Sequence, residues 1–238
     1  PRQPTLQRLF VKLDAQHVSR VLSCVTGLVA SSTGPTLDGV AVDGKAQRGR
    51  LRFEAGGCPV HALSAVCHRT GLVLAHEAVD VDRETDRAEA ELTVAPALIA
   101  QIDWHNRVLT GDALYCQRSL CQQVCAAGGE YLLAVKSNQP QLFADIQLLF
   151  DPPTTLHTLP LHDRRQTETI EYGHGRTRER RILTASTDLA GYLDWPGQAQ
   201  VLRIERSWLA HGQTHRSVGY AITSLSPERA DPARLLAL

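Results

Sequence analysis

The period of the apolar residues switches repeatedly between residues 37 and 149, and this alternation restricts the possible folds more than any single motif. LDGVAVDG (37–44) and HALSAVCH (61–68) read as two strands. Thr70 and Gly71 make a tight turn into a third strand, GLVLAHEAVD (71–80), so the second and third strands form an antiparallel hairpin. ETDRAEAELTVAPALIAQI (84–102) is rich in Ala, Glu and Leu and reads as a helix, kinked or divided by Pro96. RVLTGDAL (107–114) is a fourth strand, and QRSLCQQVCAAGG (117–129) a helix stopped by Gly128 and Gly129. YLLAVK (131–136) is a fifth strand. NQPQLFADIQLLF (138–150) is a helix with Pro140 near its first turn, where a missing N–H costs nothing.

Three strands followed by alternating helix and strand predict an α/β fold, a mixed sheet flanked by helices. This is the element order of an RNase H-like fold, although other α/β folds begin the same way. The segment 1–36 is mixed in character, with a weakly helical run at 18–30 and a turn-rich boundary at Ser31 to Thr36. After the core at 37–150, residues 151–225 form a β-rich insertion with strands in RRQTETIEY, ERRILTAS, QAQVLRIERSWL and RSVGYAITSL. A last helix begins within 226–238 and stops with the chain. The cut helix is expected to leave an apolar sheet face uncovered.

Composition narrows the function classes. A 238-residue chain with 43% apolar and 21% charged residues suits a globular protein. Its 25 basic and 25 acidic residues balance, so bulk charge does not decide for or against nucleic acid. Only Lys12, Lys45 and Lys136 of those basic residues are lysines; arginine forks suit phosphate and carboxylate, but base composition of the gene is the simpler explanation of the bias. None of the six cysteines forms a C-x-x-C pair, and buried thiols are expected rather than a zinc site. No apolar run approaches the ~18–20 residues of a membrane span. The absence of methionine points to a piece of a longer protein or to redefined ends. There is no G-x-S-x-G elbow, P-loop or dinucleotide glycine fingerprint.

Two aspartates carry the chemistry. Asp43 closes the first strand and Asp112 stands near the end of the fourth. Strands in an RNase H-like sheet bring those ends together. Paired carboxylates repel unless a cation lies between them, and Mg2+ (or Mn2+) is the natural guest. Two such ions activate water and stabilise the leaving oxygen of a phosphodiester. The plainer alternative is that each Asp, beside a glycine, is a turn residue.

With these residues in view, the sequence resembles the DDE-type insertion-sequence transposases of the H-repeat-associated family. The resemblance rests on VAVDGKAQRG, HALSAVCHRTGLVLAHEAVD, TGDALYCQ, GGEYLLAVKSNQPQL, YGHGRTRERR, LDWPGQAQVLRIER and GYAITSL, in order and spacing from about residue 37 onward. It implies an RNase H-like catalytic domain that hydrolyses phosphodiester bonds at element ends and transfers the freed 3′ end. It implies Asp43 and Asp112 as the first two catalytic, metal-binding acids, double-stranded DNA as partner and a homodimer in the synaptic complex. It also implies a bacterial cytoplasmic location at the nucleoid. Glu91 falls where the family often has a Glu after KSN, but this chain reads Ala88-Glu89-Ala90 there, and a surface helix residue is the simpler reading. The family's third acid follows ITSL in a segment resembling HW-x-IEN, and Leu238 precedes it. The chain alone is therefore expected to be inactive or nearly so. The alternative is a remnant that binds DNA or a full-length partner without cutting; a third class is a structural domain with no nucleic-acid role.

Candidate DNA contacts are Lys45 and Arg48 beyond Asp43, Lys136, Asn138 and Gln139 after the fifth strand, and Arg176, Arg178 and Arg180 in one alternating row. Ser137 or Asn138 capping the following helix, and a charge-protected strand edge, are the structural alternatives. His174, between glycines, reads as a turn residue rather than a ligand. Trp195 in DWPG reads as packed rather than stacked on a base.

Overall fold

The computed structural model describes residues 37–47, 60–79, 87–153, 162–172, 178–210 and 213–238, with scattered positions before residue 37. The expected boundary at Ser31 to Thr36, Arg48, His174 and Arg176 lie outside the described residues, as does the side chain of Arg178. From Asp38 onward the described residues form nine strands and four α-helices. The strands are β1 (Asp38–Gln47), β2 (Val60–Cys67), β3 (Val73–Val79), β4 (Arg107–Gly111), β5 (Glu130–Val135), β6 (Arg165–Tyr172), β7 (Arg178–Ser186), β8 (Gln200–Ala210) and β9 (Gln213–Thr223). The helices are α1 (Arg87–Ala100), α2 (Arg118–Ala126), α3 (Pro140–Phe150) and α4 (Pro232–Ala237). The strands are hydrogen-bonded in the order β3-β2-β1-β4-β5-β9-β8-β7-β6, a mixed α/β sheet.

The chain divides into two compact units, and β1 contributes to both: Leu37–Val42 to the larger, Asp43 onward to the smaller. In the smaller unit, β2 and β3 pair antiparallel and α1 packs on them. The hairpin turn is wider than the two residues expected. Cys67 receives the Gly71 N–H on its carbonyl and gives its own N–H to Leu72, while the Thr70 hydroxyl accepts from Leu72 N–H and closes the turn. Helix α1 is one element with Pro96 inside it, neither ended nor divided there. Its buried Ala95, Leu98 and Ile99 keep the helix against the strands, and this packing outweighs the lost backbone bond.

In the larger unit, β1, β4 and β5 run parallel, and β9, β8, β7 and β6 follow antiparallel. Residues Arg107–Thr110 of β4 are all buried, as a strand covered on both faces requires. Strand β5 alternates buried Tyr131, Leu133 and Val135 with half-buried neighbours. Helix α2 packs on β5 through buried Leu120, Cys121 and Val124. It stops as expected, at Gly128, whose φ of +78° is the left-handed conformation that glycine adopts without penalty. Strands β6 to β9 occupy the segment expected to be β-rich and continue the sheet from β5. Their core joins Leu183, Ala185, Leu202 and Ala221 with Val108 of β4 and Leu235 of α4.

Candidate active site

In the smaller unit, β1 does not close at Asp43 as expected but runs on to Gln47, and Asp43 and Lys45 project to solvent from within it and form an ion pair with each other. The alternation of a strand sends the intervening Gly44 inward, where it is buried. A Cβ built on Gly44 falls 2.0 Å from Oε1 of Glu91, so the glycine gives that carboxylate its place. Glu91, expected on the surface, is buried at 6% exposure. Arg87, one turn earlier on α1, donates from Nε to Glu91 Oε1 at 2.7 Å and from Nη2 to the Gly44 carbonyl at 2.7 Å. A buried carboxylate needs such a partner, and the i,i+4 spacing supplies it.

In the larger unit, β4 ends at Gly111, three residues before the expected end. Asp112 then caps a short 3-10 turn, Ala113–Tyr115, accepting the Leu114 N–H at 2.8 Å. One carboxylate oxygen thus performs the turn duty, and the residue stays exposed. The turn is tied down from the start of α3. Asn138 Nδ2 donates to Ala113 O at 2.6 Å, and Gln139 Nε2 donates to Cys116 O at 3.0 Å and to Gln117 Oε1 at 3.2 Å. The N-cap of α3 is Gln139, with no side-chain cap bond, so neither Ser137 nor Asn138 takes that task. Lys136, at the end of β5, is exposed.

The register links the strands that carry the two acids. Val42 of β1 is the parallel partner of Gly111 of β4; Asp43 follows Val42 within β1, and Asp112 follows Gly111 just beyond β4. Exposed carboxylate oxygens are the donors a hard divalent cation takes, and the Lys45 ammonium on Asp43 already shows that oxygen attracting a positive charge. Glu91 does not add to this donor set while Arg87 neutralises it. Among the described residues, no group of three or more His, Cys, Asp or Glu is placed to hold a metal.

The remaining candidates occupy other surroundings. Arg180 is held by both oxygens of Glu168, at 2.7 and 2.8 Å, and Arg181 pairs with Glu179 and Glu171. Of this row, Arg180 is therefore matched across β6 and β7. Trp195 is half-buried: its N–H points at the Cys121 sulfur, 3.3 Å away, and the Arg118 guanidinium lies over its ring. Cys67, Cys116 and Cys121 are buried thiols, not joined in a disulfide. Burial, followed by the neighbouring thiol Cys121, pushes Cys116 up to about 12. Burial likewise pushes Cys121 up to about 12, so these thiols stay protonated and inert at neutral pH.

Sequence reasoning missed two polar networks. Asp163 receives Arg165 in a forked pair and the N–H and hydroxyl of Thr187, at 2.8–3.1 Å. Asp151 receives Arg203 at 2.8 Å and the Tyr220 hydroxyl at 2.6 Å. Burial raises the Asp151 carboxyl, but the bonds from Arg203 and Tyr220 outweigh it and leave it below the usual range. Thr187 reaches Asp163 from 24 residues away, and Arg203 and Tyr220 reach Asp151 from 52 and 69; the R-x-x-x-E spacing of Arg87 and Glu91 is a local signal of the pair at Gly44.

Residues 35–237 match the family described as the transposase DDE domain. An uncharacterised protein in the dhlA 3′ region of Xanthobacter autotrophicus is 32% identical over 84% of this chain and 63% of its own length. YbfD of Escherichia coli (strain K12), whose name describes an H repeat-associated transposase, is 27% identical over 68% of this chain and 64% of its own. YhhI of the same strain, named likewise, is 27% identical over 67% of this chain and 40% of its own. The chain thus spans 40% to 64% of the length of these curated relatives.

Proposed function

The chain belongs to the DDE-type, H-repeat-associated transposases, and from that membership we propose that it is the metal-dependent DNA-cleaving core of such an enzyme. The observation that carries this reading is the β1–β4 register, with Val42 opposite Gly111 and an exposed aspartate as the residue after each. Asp43 and Asp112 together hold a Mg2+ or Mn2+ ion. When bound, the ion supplies a Lewis acid and lowers the pKa of a water for attack on a phosphodiester.

The chain's own residues do the rest. Lys45, paired with Asp43, would meet a DNA phosphate beside the ion that Asp43 and Asp112 would hold. Lys136 meets the backbone at the neighbouring strand end, positioning rather than reading sequence. Asn138 and Gln139 hold the Asp112 turn and contact DNA phosphate or base edges with the rest of their amide groups. Arg180 meets phosphate by exchanging Glu168 for it, and Arg48, Arg176 and Arg178 remain DNA-contact candidates on sequence alone. The strand order β3-β2-β1-β4-β5 supports an RNase H-like core over residues 37–150, followed by a β-rich addition. Two carboxylates hold the ion weakly, so cleavage by these residues alone is slow. Double-stranded DNA is the substrate, two copies act on paired ends, and the protein works in the cytoplasm at the nucleoid. Among the described residues, no helix is long and apolar enough to cross a membrane.

Nicking of supercoiled plasmid in Mn2+ tests the reading. Slow nicking by the chain, abolished in Asp43→Asn and in Asp112→Asn, is the expected result. Each loss should exceed the roughly 10–100-fold cost of removing an outer-shell partner. Equal nicking by both variants would end the catalytic reading. DNA binding without nicking, unchanged by either variant, would mark the non-cutting remnant instead.

A further inference from the structure

The cluster of Gly44, Arg87 and Glu91 has no part in the chemistry just described, yet it is the most constrained feature near Asp43. Three observations meet there. Gly44 is buried and its missing side chain is replaced by a carboxylate, with Oε1, Cδ and Oε2 of Glu91 all within 2.5 Å of a Cβ position. Glu91 is buried on α1 and bonded to Arg87 Nε. The same guanidinium reaches across to the Gly44 carbonyl, 43 residues away in sequence.

We propose that Arg87 and Glu91 are positioning residues: they clamp the Gly44 peptide to α1 and thereby fix the direction in which Asp43 presents its carboxylate. This inference rests on the metal-binding reading of Asp43 and Asp112. The physical argument is short. The pairing of β1 with β4 stops at Val42; a backbone free to twist beyond that point would spread Asp43 over many orientations, and binding an ion would then have to order it. One guanidinium that bonds both the helix carboxylate and the strand carbonyl removes that freedom before the ion arrives. Gly44 completes the device, because any side chain there displaces Glu91. The carboxylate of Glu91 is engaged by the guanidinium, so its role is to orient Arg87 rather than to ligate.

The test uses Mn2+ as probe, measured by calorimetry on the full chain, with amide hydrogen exchange of residues 43–47 read in the absence of metal. The variants are Arg87→Ala, Arg87→Lys and the double replacement Arg87→Met with Glu91→Leu. The double replacement leaves no unpaired buried charge and so protects the fold. Asp43→Asn serves as control. We expect Mn2+ affinity to fall roughly 10–100-fold in Arg87→Ala and in the double variant, the range for outer-shell partners. Arg87→Lys, which keeps a donor for the Gly44 carbonyl, restores part of the affinity, and exchange at 43–47 rises in step with the loss. If the double variant exchanges faster at 43–47 but binds Mn2+ as the parent does, the cluster is structural only and the inference is wrong. If exchange is unchanged, no clamp exists and the inference fails as well. If the parent itself binds no Mn2+, or Asp43→Asn binds it equally, the metal reading has failed first and takes the positioning role with it.

Discussion

Asp43 and Asp112 reach solvent by different routes. Asp43 is the outward residue of a strand whose next position is locked inward by Glu91 and Arg87. Asp112 is the first residue beyond its strand and divides its carboxylate between a backbone N–H and water. The turn reading and the ligand reading of Asp112 are therefore compatible, because one oxygen suffices for the cap. Two predictions belong at this scale. Gly44→Ala forces the Glu91 carboxylate out of its place against a clamped backbone, and overpacking of this kind costs about 1–3 kcal/mol, to be read from urea unfolding. Asn138→Ala leaves the Ala113 carbonyl without its side-chain donor and costs about 0.5–1.5 kcal/mol. It also loosens the Asp112 turn, detectable as faster amide exchange at Leu114.

The elements were legible where their signal is local. Strands β1 to β5 and helices α1 to α3 follow from the switch between period 2 and period 3.6, and Gly128 and Pro140 act where their backbone preferences place them. Elements departed from expectation where a distant partner decided. Asn138 does not cap α3 because a carbonyl 25 residues away takes its amide. Pro96 does not break α1 because the helix is packed on both sides of it. The arginine row on β7 reads as free charge in sequence, but the register sets Arg180 within reach of Glu168 on β6. The networks of β6 to β9 make a pH prediction. Bonds from Arg165, then from Thr187, hold the Asp163 carboxyl below its ordinary 3.8. Its contribution is complete above that value and is lost as pH falls through the lower folded-state value. Stability against urea should drop as pH falls below that ordinary value, and by less in Asp163→Asn. Leu202, fully buried in the core beneath α4, should cost about 2–5 kcal/mol when changed to Ala.

At the scale of the whole molecule, the sequence could show two acidic residues at strand ends but not that those strands are neighbours. Adjacency of β1 and β4 is a long-range pairing with no periodic signature; it was expected only from a fold and family resemblance, and the register Val42 to Gly111 now provides it. Glu91 is the reverse case, since its position on α1 was plain while its burial against Gly44 depended on where β1 runs. The central claim is that the two aspartates act as one site for a divalent cation. Calorimetric titration of Mn2+ into the chain, Asp43→Asn, Asp112→Asn and the double variant tests it most directly. The account predicts one weak site that either single substitution removes almost as completely as the double. Independent, additive losses, or an undiminished heat in either single variant, would contradict it.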